Sequence, residues 1–123
     1  MKTKNKTILV VDDIKINYVL LKGMLKSVTT RVLWARNYKE ALDFCDRYEI
    51  DLILMDFQLP EMNGLELSKR IKSKNKALPI IFQTANAQVV DKMKTDPPVY
   101  EEILEKPIER NLLIDTLERY VPV

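Results

Sequence analysis

Histidine is absent from the 123-residue chain, cysteine occurs once and glycine only twice. Without histidine there is no Ser-His-Asp or Cys-His nucleophile, and a zinc or copper site loses its commonest ligand. The chain also cannot carry a phosphohistidine of its own. Cys45 has no partner for an internal disulfide, which fits a reducing compartment. Gly23 and Gly64 cannot make a GxGxxG or GxxxxGKS phosphate loop. Charge of one sign is lacking too: 20 basic against 18 acidic residues leave +2, too balanced to imply a polyanion partner. No long hydrophobic run exists. Ile8 to Val11 is broken at once by Asp12 and Asp13, too short for a secretory segment or a bilayer span. The expectation is a cytoplasmic protein, with no membrane insertion and no direct nucleic-acid binding.

What remains is a globular composition, 46% hydrophobic and 31% charged. The length suits one domain, expected over 1–123 with no output domain, and a core that needs no staples. Short apolar runs alternate with segments of helical period. Ile8–Val11, Val32–Ala35, Leu52–Met55, Pro79–Thr84 and Ile103–Leu104 read as five strands. Between and after them lie five helical segments. The first is marked by Ile16, Val19, Leu20, Leu21, Met24, Leu25 and Val28. The second is marked by Tyr38, Ala41, Leu42, Cys45 and Tyr48, and the third by Leu67 and Ile71. Val89, Val90 and Met93 give a weak fourth, ended by Asp96-Pro97-Pro98, and Leu112, Leu113, Leu117, Tyr120 and Val121 the last. Strands and helices in alternation imply an α/β fold with a parallel sheet covered on both faces. Strands apolar throughout agree with that double burial.

In such sheets ligands bind beyond the carboxyl ends of the strands. Strand one ends in Asp12-Asp13, strand three in Asp56, strand four in Thr84, and strand five runs into Lys106-Pro107. Three carboxylates, a hydroxyl and an ammonium thus meet on one rim. Each alone has an ordinary explanation as a turn former, helix cap or surface dipeptide. Together they form a pattern: Ile8-Leu9-Val10-Val11-Asp12-Asp13, Asp51-Leu52-Ile53-Leu54-Met55-Asp56, Pro60-Glu61-Met62-Asn63-Gly64, Thr84-Ala85 and Lys106-Pro107. This order of motifs resembles the receiver domain of bacterial response regulators, over essentially the whole chain.

The resemblance implies a flavodoxin-like, doubly wound, five-stranded parallel sheet of order 2-1-3-4-5. It implies that Asp56 is the phosphoacceptor, taking a phosphoryl group from the phosphohistidine of a histidine kinase or phosphotransfer protein. Mg2+ would be held by Asp13, Asp56 and the backbone carbonyl of Gln58, with Asp12 acting through a water. Lys106, joined to Pro107 by a cis peptide, would pair with Asp56 and then with the phosphoryl group, and Thr84 would donate to the latter. Gln58 and Asn86 would flank the water that hydrolyses the acyl phosphate. A monomer or weak homodimer is implied. The chain is not expected to be an enzyme beyond assisting its own phosphorylation and dephosphorylation.

Three features stand apart from the pattern. Ile103 occupies the place, three residues before Lys106, where the family has Tyr or Phe as a rotameric switch. Pro97-Pro98 stiffens the connection into strand five, which Tyr100 precedes. The run Asp12 to Asn17 resembles receivers fused to hybrid histidine kinases, so the chain is either a stand-alone receiver or a piece of a longer kinase. Lys69 to Lys76 reads as a solvated basic helix end, and Cys45 as a core residue. The alternatives are an FMN carrier, disfavoured because Asp12-Asp13 would repel its phosphate, and a receiver-like interaction module that works without phosphorylation.

Overall fold

The computed structural model describes residues 3–27, 29–91 and 98–121. Its elements run β1 (Thr3–Val11), α1 (Lys15–Leu25), β2 (Thr29–Ala35), α2 (Tyr38–Arg47), β3 (Leu52–Asp56) and α3 (Gly64–Lys74). They continue with β4 (Ile80–Thr84), α4 (Ala87–Asp91), β5 (Glu102–Glu105) and α5 (Arg110–Tyr120). All strand pairs are parallel and the sheet order is β2-β1-β3-β4-β5.

Strand alternation divides the apolar residues between two cores. Leu9, Val11, Ile53, Met55, Ile80 and Phe82 point to the side covered by α2, α3 and α4. Ile8, Val10, Leu52, Leu54 and Ile81 point to the side covered by α1 and α5. The strands are apolar without alternation because both faces are buried. Asn37 caps α2 by accepting from Glu40 N–H, and Asn63 caps α3 by accepting from Glu66 N–H.

Several elements differ from the sequence expectation. β1 begins at Thr3 and β2 at Thr29, because Thr3 pairs with Thr29 beyond a register shift in a stretch with no apolar run to mark it. β4 begins at Ile80, and β5 extends to Glu102 and Glu105. Val28, Met93, Asp96 and Pro97 lie outside the described residues. In α1 only Leu21 and Leu25 are buried, whereas Ile16, Val19 and Leu20 face outward. Its apolar residues are therefore not one core stripe.

The basic end of α3 is also not wholly solvated. The Lys72 side chain is buried, its Nζ 3.0 and 2.7 Å from the two carboxylate oxygens of Glu101. Lys72 also donates to Lys76 O at 3.3 Å. Glu101 Oε1 further accepts from Ile80 N–H at 2.7 Å, while Glu101 N–H donates to Ile80 O at 2.8 Å. One carboxylate thus joins α3, the start of β4 and the entry to β5, at the end of the sheet opposite Asp56.

Candidate functional site

The rim at the carboxyl ends of β1, β3, β4 and β5 gathers the expected residues. Asp12 is fully buried. Its Oδ1 accepts from Ile14 N–H at 2.9 Å, and Asn17 Nδ2 lies 3.5 Å away. Asp12 N–H donates to Ala35 O at 3.0 Å, and Asp12 O accepts from the Trp34 indole at 2.8 Å. Asp13 is exposed beside it. Asp56, 6% exposed, accepts from Gln58 N–H at 3.2 Å. Carboxylate oxygens of Asp12, Asp13 and Asp56 all lie within 4.8 Å of one another.

Lys106 is the only cation paired with this group among the described residues. Its Nζ is 3.5 Å from Asp56 Oδ1 and 3.9 Å from Asp12 Oδ2. Lys106 N–H donates to Thr84 O at 2.7 Å, fixing the β5 end to the β4 end. The Lys106-Pro107 peptide is cis. Thr84 is buried, and its hydroxyl accepts from Asn86 N–H at 3.2 Å. Gln58 is exposed in the loop after β3.

The electrostatics are those of crowded acids. Burial raises the Asp56 carboxyl above its ordinary value, and Asp12 raises it further; Lys106 and the Gln58 N–H pull it back. Burial is also the main cause of the raised Asp12 carboxyl, opposed by Ile14 N–H, Lys106 and Asn17. Asp12 Oδ2 is buried with no hydrogen-bond partner. An orphaned carboxylate oxygen among three acids, with one ammonium beside them, is an oxygen-rich donor set suited to a hard divalent cation.

A profile of the response regulator receiver domain matches residues 8–118. The chain belongs to that family. The receiver is 33% identical over 118 residues to the polar-differentiation response regulator DivK of Brucella anthropi, covering 94% of this chain and 96% of that protein. It superposes on the response regulator TrrA of Thermotoga maritima, solved with Mg2+ and BeF, with TM-score 0.84 and 28% identity. That match covers 94% of this chain and 98% of the other. The receiver domain of a sensor histidine kinase from Pseudomonas aeruginosa, with a magnesium ion in its active-site cleft, gives TM-score 0.84 and 29% identity. There 96% of this chain and 98% of the other are covered. The flavodoxin-like sheet implied by the family resemblance is the one observed.

Gly64 sets the backbone position of Asp56. A Cβ at Gly64 would lie 2.9 Å from Asp56 O and 3.0 Å from Phe57 Cα, and Gly64 N–H donates to Phe57 O at 2.7 Å. Two backbone segments meet where only glycine leaves room. Gly64→Ala should lower stability by about 1–3 kcal/mol through overpacking. It should also displace Asp56, and a chemical-denaturation midpoint equal to wild type would contradict this.

Sequence reasoning did not single out Trp34, Gln83 or Tyr100 for this region. Gln83 is buried next to Thr84 with its Nε2 unpartnered. Tyr100 packs on Phe82 at 4.9 Å between ring centroids. Ile103 is half-buried against the core on the α2–α4 side. Nothing local in the sequence marks these contacts, because they join residues far apart in the chain.

Proposed function

We propose that this receiver accepts a phosphoryl group on Asp56 from the phosphohistidine of a histidine kinase or phosphotransfer protein, with Mg2+, and signals through altered partner binding. The observation that carries it is the set of three carboxylates within 4.8 Å with Lys106 Nζ 3.5 Å from Asp56. A carboxylate oxygen of Asp56 forms a bond to phosphorus, the phosphorus–nitrogen bond breaks, and the imidazole leaves with the electron pair.

Mg2+ supplies charge neutralisation where three acids would otherwise face a phosphoryl group. Asp13, Asp56 and the Gln58 carbonyl would hold it, with Asp12 acting through a water. Lys106 opposes the charge on Asp56 before transfer and on a phosphoryl oxygen after it. Thr84 donates its hydroxyl to another. Lys106 is one of the groups that pull both raised acids back toward their ordinary values, beside Gln58 N–H at Asp56 and Ile14 N–H at Asp12. The family members solved with magnesium support this reading.

An apolar groove of roughly 400 Å³ opens beside Lys106, lined by Leu20, Leu21, Met24 and Ile108 among others. With Leu20 exposed at its edge, it suits an amphipathic helix of the phosphodonor. The protein would act in the cytoplasm as a monomer or weak homodimer. Intact mass in acetyl phosphate and Mg2+ should rise by one phosphoryl group, and EDTA should prevent the rise. No rise under saturating donor would favour the phosphorylation-independent module instead.

A further inference from the structure

Trp34, the chain's one tryptophan, sits on β2 opposite Val10. Its side chain leaves the sheet on the α1 side and stacks on Tyr18 of α1, with ring centroids 5.0 Å apart and planes inclined by 7°. Its indole N–H donates to the Asp12 carbonyl at 2.8 Å. The same strand also holds the stretch through Asp12 N–H, which donates to Ala35 O at 3.0 Å. On its far side the turn is closed by Asp12 Oδ1, which accepts from Ile14 N–H at 2.9 Å, but no bond of that turn reaches the Asp12 carbonyl. Asp13 is exposed, and Ile14, the residue preceding α1, provides no side-chain cap.

We infer that Trp34 is a positioning residue for the acidic turn: its indole N–H, oriented by the Tyr18 stack, fixes the Asp12–Asp13 peptide so that the Asp13 carboxylate is presented to the divalent cation. The inference rests on the metal-dependent reading above. The physical logic is that of an outer-shell partner. A ligand held in place loses less freedom when the ion binds, so removing the support weakens affinity without touching a ligand atom. The stack also makes α1 part of the support. Tyr18 lies on the same helix as the outward-facing Ile16, Val19 and Leu20.

Mg2+ titration calorimetry on the full chain tests this, with melting in EDTA as the control for stability. Trp34→Phe keeps a ring for Tyr18 and removes only the donor. Its Mg2+ Kd should rise about three- to tenfold, the equivalent of one net hydrogen bond. Tyr18→Leu keeps the donor and loosens its orientation, and its Kd should rise about twofold. Metal saturation should change the Trp34 emission of the wild-type protein with the same midpoint. Wild-type affinity in Trp34→Phe, measured well below its melting temperature, would overturn the inference while leaving the metal site intact. Should Trp34→Phe fail to fold, wild-type affinity in Tyr18→Leu or a flat wild-type emission would overturn it equally. Failure of the wild-type protein to bind Mg2+ would instead sink the functional reading, and the inference with it.

Discussion

Asp56→Asn is expected to abolish phosphorylation and, in EDTA, to make the protein more stable than wild type. The first effect follows from losing the acceptor oxygen. The second follows from the charge cluster. Carboxylates within 4.8 Å of one another repel by at least about 3 kcal/mol at an effective dielectric of about 20, and Lys106 offsets part of this. A net gain of about 1–2 kcal/mol is expected in the variant.

The pH dependence has a definite sign. Asp12 and Asp56 titrate above their ordinary 3.8 in the folded protein. Between 3.8 and the raised values the folded state binds more protons than the unfolded, so these groups remove stability as pH rises through that window. The advantage of Asp56→Asn should therefore be small at about pH 3 and grow as pH rises through that window. Saturating Mg2+ should reverse the ranking, since it stabilises the wild type by RT ln(1 + [L]/Kd). Denaturant melts across pH, with and without metal, check this. A variant less stable than wild type at neutral pH in EDTA would contradict the repulsion.

Glu101→Ala should be the most destabilising single change at the other end of the sheet, by about 3 kcal/mol. It strands the Lys72 ammonium, whose side chain is only 10% exposed, and leaves Ile80 N–H without its carboxylate acceptor. Glu101 is itself 30% exposed, so the loss lies at the low end for a broken buried pair. For a chain of this length that is a fall in Tm of about 10 °C. Glu101→Gln keeps an acceptor for Ile80 and should lose less. A Tm shift under about 2 °C in Glu101→Ala would show that the network carries little.

The legible parts of this fold were those where local pattern and global burial agree. Leu52 to Met55 is apolar throughout because both its faces are covered, and Asp56 stands out as the first charge after it. The same holds for Asp12 after Val11. The strand order came from the family resemblance, since apolar runs do not say which neighbours pair. Illegible were contacts made only in three dimensions. Lys72 reads as one more lysine in a basic run until Glu101 arrives from 29 residues away. The α1 residues Ile16, Val19 and Leu20 keep helical spacing but face outward, a choice that depends on where β2 and α5 pack. Trp34 reads as a strand residue, and its bond to Asp12 spans 22 positions.

The central claim is that Asp56, and not a neighbouring acid, carries the phosphoryl group. Borohydride reduces an acyl phosphate to the corresponding alcohol and so marks the acceptor permanently. Peptide mapping of protein phosphorylated in Mg2+ and then reduced is the most direct measurement. The expected result is a single reduced residue, at position 56. A reduced residue at position 12 or 13, or none in protein that had gained the phosphoryl mass, would contradict the account.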